Sequence, residues 1–148
     1  MSFTKEEYKQ RLKKVQKMMQ EKGIEILISH DTNNMNYLTG YDAWSFYYAQ
    51  CVIVHVNADE PICFVRDQDA GGAYIKTYIK KENIIVYDEH YIHTWPKHPY
   101  DYLVKIIKDL EKKLGKIVLS SNQTLIWDTL NQIKYKNKIE GYGELFKN

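Results

Sequence analysis

The sequence predicts an α/β domain of three layers, in which helices flank a mixed, largely parallel sheet that includes one antiparallel hairpin. Three observations support this fold class. Amphipathic helical patterns alternate with short runs rich in β-branched residues, and two of these runs flank a turn-like connection. The chain of 148 residues is also long enough to bury one core without a disulfide or a metal. Residues 1–148 are therefore predicted to form a single domain.

The first predicted elements are a helix, a strand and a short helix. Thr4 and Glu7 have the spacing of a capping box, and apolar residues then recur at helical intervals, which predicts a helix over residues 5–22. The apolar run at 24–29 predicts a strand. A short helix capped by Asp31 follows.

The middle of the chain predicts a hairpin, a helix and a further strand. Residues 51–56 and 61–65 are predicted to be antiparallel strands, because the residues between them have the composition of a turn. A helical pattern extends from 67 to about 79, and a strand is predicted at 83–87. The polar residues 88–98 are predicted to form a loop.

The last third predicts two helices joined by a short strand. Pro99 is suited to the first position of a helix that Gly115 ends. A strand at 117–119 and a helix at 121–133 follow, and residues 142–146 have a weak strand-like pattern.

The composition argues against two classes of partner. The chain contains 21 basic and 19 acidic residues, so it lacks the strong positive field that nucleic acid or an anionic membrane surface would need. No apolar run approaches the ~20 residues needed to span a bilayer, and the charged start has no signal-peptide pattern. We therefore expect a cytoplasmic protein, in which Cys51 and Cys63 are a reduced, buried pair.

The stretch from Asn33 to Gln50 is the part of the chain least explained by core building. Its aromatic residues come too close together for one helical stripe, so some of the rings are expected to face outward or to line a groove. These residues are Tyr37, Tyr41, Trp44, Phe46, Tyr47 and Tyr48. This stretch is therefore the first candidate for a functional site.

The predicted polar loop contains a cluster of histidines and carboxylates. Imidazole and carboxylate are ligands of zinc and iron, but the spacing is loose and no helical two-histidine face is available. Polar loop histidines are therefore favoured, and a metal site is the alternative. The residues concerned are Asp88, Glu89, His90, His93 and His98.

The sequence at 66–72 follows a predicted strand and opens a helix. A phosphate site at the helix N-terminus is one interpretation, but Asp67 and Asp69 would repel phosphate and are favoured as helix caps. Arg66 could bind a carboxylate, and pairing with Asp67 or Asp69 is the default. Because Gly-x-Ser-x-Gly and Walker patterns are absent from the sequence, the residues alone predict a soluble α/β domain with an aromatic patch.

Several motifs resemble the N-terminal domain of the creatinase/prolidase family of pita-bread metallohydrolases. The resemblance rests on the helix at 5–22, on Gly-Ile-Glu-Ile-Leu-Ile-Ser at 23–29 and on Asn-Tyr-Leu-Thr-Gly at 36–40, and it covers roughly residues 5–146. The segments most similar to the ectoine hydrolase and creatinase-like branch are 41–48, 66–73 and 98–103. This resemblance implies a ribonuclease H-like fold of the creatinase N-terminal type.

The resemblance implies a C-terminal pita-bread domain, absent from the chain, which holds the metal ligands and the catalytic histidines. The domain present would be non-catalytic and without a cofactor of its own, while Mn²⁺, Zn²⁺ or Co²⁺ would serve the catalytic domain. The implied reaction cleaves a C–N bond in a small amide, amidine or X-Pro substrate. The implied partners are the chain's own catalytic domain, a second copy in a homodimer and a small-molecule or dipeptide substrate, with no nucleic acid and no membrane.

The resemblance also implies site residues. In this family the loop after the Tyr-Leu-Thr-Gly motif reaches toward the neighbouring subunit's active site, and creatinase supplies a Phe and an Arg from this loop. In an alignment on Gly40, Phe46 matches the Phe, whereas Tyr48 stands where the Arg would be. Trp44, Phe46 and Tyr48 are therefore the expected substrate-binding residues across a dimer. Further polar contacts are expected from Arg66, His90 and His98.

Two alternatives stay open. The aromatic rings can instead pack a dimer interface or the core, since aromatic residues are enriched at interfaces. The chain can also be a stand-alone small-molecule-binding or dimerisation module without hydrolase activity.

Overall fold

The computed structural model of the chain describes residues 2–42, 47–93, 98–115, 119–135, 137 and 139. Two compact units are present, one formed by Met1–Pro99 and the other by Tyr100–Asn148. The predicted site residues all have sequence positions in the first unit.

The first unit follows the predicted order of helices and strands. Its elements are α1 (Lys5–Glu21), β1 (Ile26–Ser29), α2 (Thr32–Thr39), β2 (Cys51–His55), β3 (Ile62–Arg66), α3 (Asp67–Lys76), a 3-10 turn (Lys81–Asn83), β4 (Ile84–Tyr87) and α4 (His90–His93). The remaining elements, in the second unit apart from Pro99 itself, are α5 (Pro99–Leu114), β5 (Leu119–Ser120) and α6 (Ser121–Gln132).

The predicted caps of the first two helices are confirmed. The Thr4 hydroxyl accepts a hydrogen bond from the Glu7 N–H at 3.2 Å. Asp31 Oδ1 accepts from the N–H groups of Asn33 and Asn34, at 2.9 and 3.0 Å. These bonds satisfy donors that the first turn of a helix leaves without a partner, so both helices begin where the sequence places a capping side chain.

The four strands of the first unit form a mixed sheet in the order β4-β3-β2-β1. The β2–β3 hairpin is antiparallel, as predicted, and β4 pairs parallel to β3 through the α3 crossover. The α/β class with a mixed sheet and flanking helices is therefore confirmed.

The expectation of a largely parallel sheet is wrong for these four strands, because β1 and β2 are also antiparallel. Ser29, at the end of β1, pairs with Val52, near the start of β2. The connection from β1 to β2, which contains α2, therefore leaves and re-enters the sheet at the same end. A parallel neighbour would need a crossover to the opposite end.

The largest hydrophobic cluster lies between one face of this sheet and helices α1, α2 and α3. Tyr8, Leu12, Met35 and Ala73 are buried helix residues of this cluster, and the strands contribute alternate residues. The strand residues are Val52, Val54, Cys63 and Val65. On the opposite face Ile28, Ile53, Phe64 and Tyr87 are also buried.

Several boundaries differ from the prediction. Helix α3 ends at Lys76 rather than near Ile79, because Thr77 is extended (ψ 159°) and its hydroxyl donates to the Ala73 carbonyl at 2.7 Å. The predicted loop at 88–98 contains the single helical turn α4, which starts where Asp88 Oδ1 accepts from the His90 N–H at 2.8 Å. The short C-terminal strand is described only at Leu119–Ser120, and the predicted strand at 142–146 lies outside the described residues.

In the second unit, α5 has the predicted amphipathic pattern. Leu103, Ile107 and Glu111 are buried at intervals of four residues along the helix. Gly115, with a φ of +64°, follows the helix, and its N–H donates to the Glu111 carbonyl at 2.8 Å. Within the described residues, the structure contains no helix long and apolar enough to cross a membrane.

Candidate functional site

The aromatic segment, defined here as residues 42–48, begins just after the α2 cap. Gly40 ends α2 with a φ of +83°, and Tyr41 is buried with its ring beside α3. A Cβ placed on Gly72 of α3 would lie 3.6 Å from Tyr41 Cε2. Trp44 and Phe46, two of the predicted substrate-binding residues, lie outside the described residues, whereas Tyr48 is described and partly buried.

Tyr48 contacts Arg66, so two of the predicted site residues do come together. The Arg66 guanidinium carbon lies 3.9 Å from the centroid of the Tyr48 ring. This distance is typical of a cation–π contact, in which the ring quadrupole attracts the positive charge. Tyr47, by contrast, is 65% exposed, and its ring lies 4.8 Å from that of Tyr48.

Arg66 is held by two carboxylates. Its Nε donates to Asp69 Oδ2 at 3.0 Å and lies 3.6 Å from Glu89 Oε1, and only 12% of its side chain is exposed. The predicted pairing of Arg66 with a carboxylate of α3 is therefore confirmed. Burial lowers the pKa of Arg66, but the hydrogen bond and charge of Asp69, together with the charge of Glu89, raise this pKa overall, so the guanidinium is charged at physiological pH.

A second ion pair holds the other end of the aromatic segment. Lys76 Nζ lies 2.8 Å from Asp42 Oδ1, and both side chains are about half exposed, at 49% and 57%. Lys76 is the last residue of α3, whereas Arg66 immediately precedes its first residue. Sequence reasoning did not pair Lys76 with Asp42 or Glu89 with Arg66, because no local pattern joins them.

The predicted histidines occupy different surroundings. The His90 Nδ1 atom lies 2.9 Å from Asp88 Oδ1, and the ring lies 4.2 Å from that of Tyr91. Hydrogen bonds from the His90 N–H and from its ring lower the pKa of Asp88. His98 is exposed and immediately precedes the first residue of α5. Among the described residues, no group of three or more His, Cys, Asp or Glu side chains could hold a metal ion.

A partly buried histidine just after β1 is a feature that sequence reasoning missed. His30 Nδ1 lies 3.0 Å from the carbonyl of Gln50, which can only accept, so Nδ1 carries the proton. Burial lowers the pKa of His30, so the ring is neutral at physiological pH. The Gln50 side chain is buried, and its Nε2 has no hydrogen-bond partner among the described residues.

The described residues of the site are suited to binding rather than to nucleophilic chemistry. Tyr48 offers an aromatic face and a hydroxyl, and Arg66 fixes that ring. Cys51 and Cys63 are buried free thiols, as predicted. Burial raises the pKa of Cys63 to about 12 and also raises that of Cys51, so neither supplies a thiolate near neutral pH.

Fold and sequence together define the class of this domain. The chain belongs to the creatinase/prolidase N-terminal domain family, whose sequence profile matches residues 11–143.

Curated relatives of the chain are hydrolases. It is 44% identical over 105 residues to ectoine hydrolase of Halomonas elongata, a match that covers 71% of this chain and 26% of that protein. It is also 37% identical over 105 residues to the hydrolase/peptidase y4tM of Sinorhizobium fredii, covering 71% of this chain and 27% of the relative. The chain thus spans about a quarter of the length of these relatives.

Solved structures show the same fold at low sequence identity. The creatinase/prolidase N-terminal domain of an X-Pro dipeptidase from Streptococcus pyogenes superposes with a TM-score of 0.52 at 18% identity, over 66% of this chain and 71% of that one. An Xaa-Pro aminopeptidase structure from the same organism gives a TM-score of 0.54 at 18% identity, over 73% and 70% of the two chains.

Proposed function

We propose that this chain is the non-catalytic N-terminal domain of a metal-dependent hydrolase that cleaves a C–N bond in a small amide, amidine or X-Pro substrate. The observation that best supports this function is the 44% identity to ectoine hydrolase over 105 residues. That relative makes a cyclic amidine of the ectoine type the first substrate to test, with X-Pro dipeptides next. The free thiols of Cys51 and Cys63 support the cytoplasm as its compartment.

The domain supports a homodimer, and its aromatic segment lines the active site of the partner subunit. We assign substrate contact to Trp44, Phe46 and Tyr48, because three aromatic rings and one hydroxyl have the side-chain chemistry that suits a small ring. The 65% exposure of Tyr47 supports this role, because a large aromatic side chain at the surface is typical of a contact site. His90 and His98 supply secondary polar contacts, and Arg66 contributes through its contact with Tyr48.

The metal ligands of the reaction are assigned to the C-terminal catalytic domain of the full-length protein. The described residues of this chain do not form a group of three or more suitable side chains, so they do not fit the dinuclear site that the family implies. We assign to this domain a contribution of binding surface and no chemical step.

The test is hydrolysis by the full-length gene product. Purified protein should be loaded in turn with Mn²⁺, Zn²⁺ or Co²⁺ and assayed against ectoine, creatine and a set of X-Pro dipeptides. Turnover of at least one substrate is expected, with a dimer mass in light scattering. If none is turned over under any metal, the hydrolase function is wrong, and ligand binding by the chain alone would then favour a stand-alone binding module.

A further inference from the structure

The two ends of α3 contact the two described ends of the aromatic segment. The guanidinium of Arg66, immediately before α3, lies over the Tyr48 ring, and Lys76, the last residue of α3, pairs with Asp42. A helix of ten residues is about 15 Å long. The aromatic segment is thus attached to α3 at two points separated by about the full length of the helix.

We propose that Arg66 and Lys76 are positioning residues that fix Tyr48 and Asp42, the described ends of the aromatic segment, and so set where Tyr48 is presented. The proposal rests on the proposed function for its catalytic consequence. Its structural part concerns this chain alone.

Arg66 is the stronger of the two attachments. Three groups restrain its guanidinium, because Asp69 and Glu89 lie near Nε while the Tyr48 ring lies against the central carbon. With 12% of the side chain exposed, solvent screens these contacts less than it screens surface pairs. A lysine at this position would keep the charge but not the planar group that stacks on the ring.

Lys76 is the weaker attachment. Its pair with Asp42 is about half exposed on both sides, and exposed pairs contribute little because solvent and salt screen them. The backbone of Lys76 nevertheless lies close to the segment's start, since its carbonyl oxygen would be 3.1 Å from a Cβ placed on Gly40. The packing around Gly40 thus sets the position of Asp42, and the ion pair between Lys76 and Asp42 is a second, weaker restraint on that position.

The first test is a double-mutant cycle on the unfolding equilibrium of this chain. The variants are Arg66→Lys, Tyr48→Leu and the double substitution, with Tyr48→Phe to keep the ring. Coupling between the two positions is expected to change the unfolding constant by about two- to fivefold, the range of a cation–π contact. Tyr48→Phe should preserve this coupling. If the effects of Arg66→Lys and Tyr48→Leu on the free energy of unfolding are additive, the proposal that Arg66 holds Tyr48 is wrong.

The second test separates positioning from stability through the kinetics of the full-length enzyme. Arg66→Lys and Tyr48→Leu should each raise KM or lower kcat by a similar factor, and the double variant should be no worse than either. The matched control is Lys81→Met, which removes a different cation–ring contact, 5.6 Å from the Tyr74 ring, and should leave the kinetics unchanged. If the kinetic losses of the two single variants multiply in the double variant, Arg66 does not act through Tyr48.

The two proposals fail in different ways. If the full-length protein turns over no substrate, the proposed function is wrong, while the unfolding cycle still decides whether Arg66 holds Tyr48. If Arg66→Lys does not fold, Lys76→Met and Asp42→Asn provide a second cycle on exposed side chains. Lys76→Met without any kinetic effect in an active enzyme would remove Lys76 from the proposal.

Discussion

An alanine at Gly40 is expected to destabilise the domain strongly, because two separate costs act at this position. The residue has a φ of +83°, a conformation that costs an L-residue about 1–2 kcal/mol. A Cβ there would also lie 3.0 Å from Tyr8 Oη and 3.1 Å from the Lys76 carbonyl oxygen. Since a backbone carbonyl cannot rotate away, we add about 1–3 kcal/mol for overpacking. The expected loss for Gly40→Ala is therefore about 2–5 kcal/mol.

Gly23→Ala is the matched control for this substitution. Gly23 has a similar φ of +66°, but a Cβ there would meet no atom within 4 Å. Its substitution should therefore cost only the backbone strain, about 1–2 kcal/mol. The difference between the two variants isolates the overlap with Tyr8 and Lys76.

Urea unfolding, followed by far-UV circular dichroism and by tryptophan fluorescence, measures both losses. Two probes are needed because the chain has two compact units, which must be shown to unfold together before one free energy is assigned. Equal losses for Gly40→Ala and Gly23→Ala would refute the reasoning, because they would show that the tight contacts at Gly40 cost nothing.

Three further predictions each concern one residue. Gly71→Ala should raise the free energy of unfolding by about 0.5–1 kcal/mol in urea titrations, because Gly71 lies within α3 and a Cβ there meets open space. A lower free energy of unfolding would mean that the helix is strained at this position. Glu60→Gln should lower the free energy of unfolding by about 1 kcal/mol in the same titrations, because Glu60 Oε2 accepts from the Lys80 N–H at 2.9 Å and the side chain is 8% exposed. An unchanged free energy of unfolding would show that this hydrogen bond does not stabilise the fold. Because the pKa of Cys63 is raised to about 12 in the folded chain, its contribution to stability is complete below the unfolded value of about 8.5 and declines as pH rises toward 12. Unfolding at pH 8 and 10 should show this decline, and Cys63→Ala should reduce it.

Local sequence signals predicted the features that depend on a few neighbouring residues. Thr4 with Glu7, and Asp31 with the two N–H groups after it, are complete within four residues, so their caps were found. Gly115 could likewise be identified as a helix end, since a positive φ favours glycine. The helix α4 was missed because a single turn is too short to show a helical period.

The parts of the site that the sequence did not reveal depend on sheet geometry. Asp42 and Lys76 are 34 positions apart, and they meet only because α3 follows β3 and passes beside the end of α2. Glu89 reaches Arg66 because β4 pairs parallel to β3, which brings the ends of both strands to the same edge of the sheet. The antiparallel pairing of β1 and β2 also depends on sheet geometry. A strand's direction is set by the end of the sheet at which the connection before it re-enters.

These contacts make α3 the element on which the geometry of the aromatic segment depends. The Lys76 carbonyl packs against Gly40, the Lys76 side chain pairs with Asp42, and Arg66 holds Tyr48, so a shift of α3 would move both ends of the segment together. Substitutions within α3 should therefore alter substrate kinetics even where they touch neither the segment nor the substrate.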